Sequence, residues 1–289
     1  MKMICIAFVV IVLIVVIEWM REIHTFKVTH YHFCSAKLSG WKGKKIILLS
    51  DLHNYNYGTK NDKLLQAVRE QKPDLILIAG DMLVGKKDVS TKIASEFVEA
   101  LTDICDVYYA NGNHEYRMKI YTDTFGDVYK NYREHLVNAG VHYLENSTEE
   151  IEMDGCKLAI HGLEIPREAY KKFKKGYLEE TFLESSLGKV REGCYNILIA
   201  HNPIFMKKYL KWGADLVVSG HLHGGVARIP GFRGVITPQF SFFPKYSGEL
   251  TQEENAHVVV SKGIGIHTIK VRFLNPAEIV VMHIGGMEE

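Results

Sequence analysis

The chain has little of what marks several protein classes. Its 289 residues include only 7 prolines and 24 glycines, too few for a collagenous or low-complexity protein. It carries 35 Lys and Arg against 34 Asp and Glu, a net charge of 35 − 34 = +1. This balance does not favour a nucleic-acid binder driven by bulk charge. Hydrophobic residues make up 47% and charged residues 24%, which excludes a disordered chain and indicates a globular protein with a sizeable core.

Cysteine is scarce and scattered. The five cysteines include no C-x-x-C pair, so neither a zinc ribbon nor a dithiol redox motif is present. Their odd number and wide spacing do not indicate a disulfide framework. We predict thiols that are mostly buried, and the cellular compartment stays open. They are Cys5, Cys34, Cys105, Cys156 and Cys194.

One apolar run opens the chain. Residues Met3 to Ile17 are all apolar, and as a helix they span about 22 Å against about 30 Å for a bilayer core. Lys2, Trp19 and Met20 can extend the span into the interfaces. We predict an uncleaved single-pass anchor over residues 1–21 in the cell membrane, followed by a domain over 22–289.

Two alternatives for this run stay open. One is a cleaved signal peptide, although no A-x-A-like site follows the run. The other is a buried core helix. The membrane face of the domain is undetermined, because Lys and Arg are almost equally numerous on both sides of the run.

Five later apolar runs each end in residues able to bind metal or protons. Such runs are typical of strands buried on both faces, and helical stripes such as Leu64, Leu65 and Val68 lie between them. The alternation predicts an α/β fold with a largely parallel sheet and one site at its carboxyl edge. We expect residues 226–284 to form a second sheet against the first. The runs and their polar residues are 46–49 with Asp51 and His53, 75–78 with Asp81, 107–109 with Asn113 and His114, 197–199 with His201, and 216–218 with His221 and His223.

These side chains offer carboxylate, imidazole and amide donors but no thiolate. That set suits Mn, Zn, Fe or Co and exceeds what one tetrahedral ion needs. Two ions sharing a carboxylate suit in-line displacement at phosphorus. We therefore predict two divalent ions per chain. Glycines 80, 112 and 220 each precede one of the polar residues, and we expect a sharp backbone turn at each.

The ordered set resembles the signature of the calcineurin-like metallophosphoesterases. The family pattern is D-x-H, G-D, G-N-H-[DE], H and G-H-x-H, and all five blocks occur here in order. The tail from Val260 to Ile279 is similar to the membrane-associated bacterial branch of the YkuE and YaeI type. The blocks are 51–53, 80–81, 112–115, 201 and 220–223.

The resemblance implies a four-layer α/β/β/α sandwich of two mixed sheets. It also implies that one ion is bound by Asp51, His53 and His223, and the second by Asn113, His201 and His221, with Asp81 bridging both. His114 would not be a ligand; it would protonate the leaving oxygen or stabilise the transition state. A metal-bridging hydroxide would attack phosphorus in line.

The resulting hypothesis is a membrane-anchored metal-dependent phosphoesterase acting on a phosphoester or pyrophosphate bond. The anchor favours a lipid-linked or cell-envelope substrate, with a soluble nucleotide or nucleic acid as a rival in the same chemistry. A non-catalytic metal-binding scaffold and a mononuclear hydrolase of a non-phosphate bond are rivals from other classes. No protein partner is predicted.

Several other residues admit two interpretations. His161 is either a pocket residue or a packed core histidine. The tyrosines near His114 either cap the site or pack. Residues 170–177, which mix Lys with aromatics, either contact anionic lipid or phosphate or form a solvated helix face. Arg228 is a candidate phosphate contact. The tyrosines are Tyr116, Tyr121, Tyr129 and Tyr132.

Overall fold

A computed structural model describes residues 2–170, 177–225, 228, 234, 244–266, 272 and 274–285. Most of the Lys and aromatic stretch, residues 171–176, lies outside the described residues. The helices are α1 Lys2–His24, α2 Asp62–Gln71, α3 Lys92–Thr102, α4 Asn113–Ile120, α5 Thr122–Phe125, α6 Val128–Asn138, α7 Phe182–Leu187 and α8 Met206–Trp212.

The strands form two six-stranded mixed sheets. The first has the order β1-β12-β2-β3-β4-β5 and the second has the order β10-β11-β9-β8-β7-β6, with these bounds: β1 Phe26–Phe33, β2 Lys45–Leu49, β3 Leu75–Ile78, β4 Val107–Ala110, β5 His142–Leu144, β6 Ser147–Met153, β7 Cys156–Leu163, β8 Tyr195–Ala200, β9 Leu216–Ser219, β10 Leu250–Gln252, β11 His257–Val260 and β12 Ala277–Ile284.

The apolar runs are continuous because both faces of each central strand are covered. In β2, Ile47 and Leu49 pack with α2, α3 and α6, whereas Ile46 and Leu48 pack against the second sheet. The outer face of the second sheet packs on α7 and α8. These three layers of core confirm the predicted four-layer α/β/β/α sandwich.

The predicted assignment of the second sheet to residues 226–284 is wrong. That sheet begins at β6 and contains β8 and β9, which carry two of the five motif blocks. The last strand, β12, returns to the first sheet and lies between β1 and β2. The order of the apolar runs along the chain does not show which sheet each strand joins, because the strands of both sheets are equally buried.

Helix α1 is long and apolar enough to cross a bilayer, and its residues from Lys2 to Ile17 are exposed. The alternative of a buried core helix is therefore wrong. The helix continues beyond the predicted boundary at 21 and ends at His24, and the first strand starts at Phe26.

The expectation of mostly buried thiols is also wrong. Only Cys156 and Cys194 are buried; Cys105 is half-buried, and Cys5 and Cys34 are exposed. Cys5 is exposed because it lies in the apolar part of α1, whose residues 2–17 are all exposed. Cys34 follows the end of β1.

Candidate metal centre

The candidate site lies where the two sheets meet. The strands β2, β3 and β4 of the first sheet and β8 and β9 of the second each end just before one of the five motif blocks. The parallel pairing within each sheet places their carboxyl ends at one edge. The structure therefore brings side chains from both halves of the sandwich into one cluster.

One group of possible ligands consists of Asp51, His53 and His223. One ligand atom from each lies within 4.8 Å of the others, and all three residues are buried. Nε2 of His223 is 3.4 Å from Oδ1 of Asp51, and Nε2 of His53 is 3.1 Å from Nε2 of His223. Two imidazoles and a carboxylate converge on one point, as a divalent ion requires.

A second group consists of Asp81, His201 and His221, again within 4.8 Å of one another. Nε2 of His201 is 3.1 Å from Oδ2 of Asp81. Asp81 also forms a third such group with His53 and His114. Asp81 thus lies between the two sets of histidines, where one carboxylate can serve both.

The backbone at this site is unusual for its residue types. Asp51, His53, Asp81, His221 and His223 all have positive φ, between 50° and 70°. Left-handed backbone is uncommon for residues other than glycine and persists where surrounding structure holds it. The sequence predicts sharp turns at the preceding glycines and gives no sign that these Asp and His residues adopt left-handed backbone themselves.

Only part of that expectation holds. Gly80 has φ of +76°, as a sharp turn requires. Gly112 has an ordinary φ of −87°. It is glycine because a Cβ there would lie 2.2 Å from Oδ1 of Asp81. At Gly220 a Cβ would lie 2.4 Å from Oδ2 of Asp51. Close packing against the two carboxylates, rather than a turn, excludes a side chain at these positions.

His114 is held with a defined ring orientation. The backbone N–H of Gly85 donates a 2.7 Å hydrogen bond to Nδ1 of His114, so in the neutral ring Nε2 carries the proton. Nε2 lies 3.9 Å from Oδ2 of Asp81. His114 is half-buried, unlike His201, so its ring can meet a bound substrate.

Glu115 is fully buried and organises the loop after β3. Its Oε2 accepts hydrogen bonds from the N–H groups of Asp81 and Gly112, at 2.8 and 3.1 Å. Its Oε1 accepts from the N–H of Leu83 and the hydroxyl of Tyr109, at 3.0 and 2.9 Å. The sequence shows this residue only as the last position of a motif, with no sign of these partners.

One atom of the site fits a metal and little else. Oδ1 of Asn113 is buried and has no hydrogen-bond partner among the described residues. A buried polar atom without a partner is costly, whereas a ligand atom is left open for its ion. Nδ1–H of His201 donates a 2.5 Å hydrogen bond to the carbonyl oxygen of Ala79, the outer contact expected of a ligating imidazole.

The electrostatics of the cluster are dominated by burial and opposite charge. Burial raises the pKa of Asp51 to about 6, although the nearby His201 opposes this shift. Burial also acts to raise the pKa of Asp81, but the neighbouring His201, His114 and His53 outweigh it and hold that pKa well below the usual range. Burial opposes the charge of His201, yet Asp81 and Asp51 raise its pKa to about 10. Asp81 therefore stays ionised, as a bridging ligand must.

Several other residues considered from the sequence have protein partners. His161 is a packed core histidine, whose two ring nitrogens contact Thr148 and Asn196 and whose pKa burial lowers to about 4. Arg228 pairs with Glu249 at 2.8 Å and donates to the carbonyl oxygen of Gly224, next to His223, at 3.2 Å. Tyr129 and Tyr132 are buried in the first core cluster.

Tyr170, the first residue of the Lys and aromatic stretch at 170–177, lies beside the site. The ring of Tyr170 lies 5.0 Å from that of His221 in an edge-to-face arrangement of 73°, and it is also near His201. The residue belongs to a short 3-10 turn, Arg167–Tyr170. Its place beside the site follows from the path of the loop after β7, which the residue pattern does not specify.

Comparisons with known proteins agree with this geometry. The model of the calcineurin-like phosphoesterase family matches residues 44–225. The chain is 25% identical over 269 residues to the metallophosphoesterase YkuE of Bacillus subtilis, covering 90% of this chain and 86% of that one. It is 30% identical over 251 residues to a zebrafish protein described as a transmembrane protein with a metallophosphoesterase domain, covering 82% of this chain and 52% of that protein.

A solved structure shows the same fold. The sulfate thiohydrolase SoxB of Thermus thermophilus superposes with a TM-score of 0.50 at 14% identity, covering 85% of this chain and 57% of that chain. At this identity the likeness concerns the architecture alone. The family match spans all five motif blocks and strands of both sheets, and the chain belongs to the calcineurin-like phosphoesterase family.

Proposed function

We propose that the chain is a membrane-anchored hydrolase of phosphoester or pyrophosphate bonds that uses two divalent ions. The observation that carries this proposal is the position of Asp81. Its carboxylate forms one group of possible ligands with His201 and His221 and another with His53 and His114. Asp51, His53 and His223 would hold one ion, and Asn113, His201 and His221 the other, with Asp81 between them. Bound ions of this kind polarise phosphoryl oxygens and activate water for attack at phosphorus.

The chain's own residues supply orientation and a hydrogen-bond donor. Glu115 fixes Asp81 by accepting from its N–H group, and the N–H of Gly112 donates to the same oxygen. His114 presents Nε2–H on the side of Asp81, where it can donate a hydrogen bond to a leaving oxygen and stabilise its developing charge.

Helix α1 supports membrane anchoring. Its 23 residues span about 34 Å, enough for a hydrocarbon core of about 30 Å. The zebrafish relative is described as a transmembrane protein, which agrees with an anchor here. The hydroxyl of Tyr55, two residues after His53, donates to the carbonyl oxygen of Ile23 in the last turn of α1 at 2.6 Å. The centre thus lies close to the helix end, which favours a lipid-linked phosphate as substrate.

The reaction is tested with the full-length chain in detergent micelles. Protein loaded separately with Mn, Zn, Fe or Co is assayed on bis-p-nitrophenyl phosphate and p-nitrophenyl phosphate, with bound metal counted per chain. We expect two ions and metal-dependent turnover, both lost in Asp81→Asn and kept in Asp103→Asn, an exposed carboxylate at the end of α3.

The rivals give different results in the same assay. Two bound ions with no turnover on these esters or on lipid pyrophosphates would favour a scaffold. One tight ion per chain would favour a mononuclear hydrolase. Faster turnover of soluble nucleotides than of lipid-linked phosphates would favour the soluble substrate.

The anchor needs its own test. We expect the chain to remain in carbonate-washed membranes with an N-terminal tag intact, and a variant lacking residues 2–17 to be released. Loss of the tag with release of the domain would show that the run is a cleaved signal peptide.

A further inference from the structure

The end of α1 is built into the domain rather than linked to it. Glu22 is the one buried residue of this helix, and it is only 1% exposed. A buried carboxylate needs hydrogen-bond partners to offset its lost hydration. Oε2 of Glu22 accepts one from the backbone N–H of Asn275 at 3.0 Å.

Asn275 in turn holds one of the turns of the metal centre. Its side-chain amide donates to the carbonyl oxygens of His223 and Gly225, both at 2.6 Å, and the residue is fully buried. The turn that it holds has left-handed backbone at three successive residues, with φ of 50° at His223, 70° at Gly224 and 86° at Gly225. Such a turn needs contacts that determine it from outside.

A buried cation, Arg272, holds the loops next to Asn275. Arg272 is 3% exposed and donates to the carbonyl oxygens of Lys262, Gly263 and Gly265, and also to that of Asn275. The N–H of Gly265 donates to the carbonyl oxygen of Asp51 at 2.8 Å. Glu22 is one of the acidic groups whose charge acts on Arg272. The backbone of Asp51 and that of His223 are therefore held by one buried network that reaches α1.

We propose that Glu22 is a positioning residue of the metal centre, acting through Asn275 on the turn that carries His223. Glu22 touches neither substrate nor ion. It fixes the backbone of Asn275, whose side-chain amide holds the carbonyl oxygen of His223 and thereby the backbone that carries the imidazole. This inference rests on the proposed function, because it assigns Glu22 to the ion held by Asp51, His53 and His223.

The proposal predicts a selective loss of metal affinity. Residues behind metal ligands typically change affinity 10–100-fold when they are removed. Glu22→Ala should weaken one of the two ions by about this factor, while the ion beside His201 and His221 keeps its affinity. Glu22→Gln retains an oxygen acceptor for the N–H of Asn275 and should stay within about threefold of wild type.

The experiment measures Mn²⁺ binding to the metal-stripped full-length chain in detergent by calorimetry, fitted to two sites. The matched control is Glu18→Ala, one turn earlier in α1, where the carboxylate contacts Arg21 on the surface. Asn275→Ala keeps the backbone N–H that Glu22 binds but removes the contacts to His223 and Gly225. The double variant Glu22→Ala with Asn275→Ala should lose no more affinity than either single variant, since both act on one path.

The outcomes separate the inference from the proposed function. Unchanged affinity in Glu22→Ala, or an equal loss at both ions that Glu22→Gln does not rescue, overturns the positioning role. If Glu22→Ala does not fold, Asn275→Ala alone decides: a loss at one ion supports the path and unchanged binding overturns it. Absence of any metal binding by the wild-type chain would instead contradict the proposed function.

Discussion

The backbone N–H of Gly85 donates a 2.7 Å hydrogen bond to Nδ1 of His114. The loop after β3 thereby selects the neutral tautomer that carries its proton on Nε2. Nε2 is the nitrogen nearer to Asp81. A ring held in this way is suited to donate a hydrogen bond to the developing charge of a leaving oxygen and poorly suited to bind an ion through Nδ1.

His114→Ala should leave both ions bound and slow turnover by about 10²–10³, the usual cost of removing one hydrogen-bond donor to a developing charge. The loss should be larger for a poor leaving group than for p-nitrophenolate, whose charge needs less stabilisation. Turnover numbers across a series of leaving groups measure this. His135→Ala, an exposed histidine on α6 paired with Glu99, is the control. Equal activity of His114→Ala and wild type on a poor leaving group would remove the proposed role.

The metal-stripped protein should become less stable as pH rises. The pKa of His201 is raised from 6.5 to about 10, so its contribution is complete below about pH 6.5 and disappears as pH approaches 10. The pKa of Asp51 is raised from 3.8 to about 6, so its contribution to the free energy of unfolding also falls as pH rises from 3.8 to 6. Asp81, whose pKa is lowered, adds stability that is lost only at acid pH.

Urea unfolding of the chelated protein at pH 6.5, 8 and 10 checks this sign. His201→Gln should lack the decline between pH 6.5 and 10. Metal binding should reverse the trend, because His201 must lose its proton to bind an ion, so affinity rises with pH and proton release accompanies uptake. A stability that rises with pH in the chelated wild type would contradict the assignment.

Glu115→Gln should destabilise the loop that carries Asp81. The amide can still accept from Leu83 and Tyr109 through its oxygen, but its NH₂ group then faces the N–H donors of Asp81 and Gly112. Leaving a buried N–H without a partner costs about 1–3 kcal/mol. We expect a lower midpoint of thermal unfolding together with reduced metal content. Glu150→Gln, on the exposed side of β6, should change neither.

Gly112→Ala should displace Asp81, since a Cβ there would lie 2.2 Å from its Oδ1 and 2.5 Å from its backbone nitrogen. Gly155→Ala is the control, because a Cβ at that β6–β7 turn meets no atom within 4 Å although φ is +73°. It should cost some stability through strain and keep its metal. Bound metal per folded chain distinguishes the two variants. Full metal content in Gly112→Ala would contradict the prediction, because it would show that the loop after β4 can move to make room for the Cβ without displacing Asp81.

The residue pattern predicted the parts of this protein that depend on local chemistry. Strand ends near Asp51, Asp81, Asn113, His201 and His221 follow from short apolar runs and the polar residues after them, and the structure brings these residues together. The helical stripe through Leu64 and Val68 is likewise buried in α2. Each of these depends on residues close together in the chain.

Contacts between distant parts of the chain were not predictable in this way. The pattern does not show that β12 pairs with β2, or that Asn275 holds His223, because nothing near either residue specifies its partner. Glu22 looks like an ordinary charge after an apolar run. Its burial follows from the angle at which α1 meets the domain, which is set by tertiary packing.

The position of β12 also affects how the chain is made. Residue 277 pairs with residue 26, and at about 5–20 residues per second a ribosome needs roughly 12–50 s to make the intervening segment. During that time β1 and β2 have no strand between them, and each offers an unpaired edge. The nascent domain therefore has to be protected from aggregation until its last strand is released, and a stop codon shortly before residue 277 would leave a chain that cannot close its first sheet.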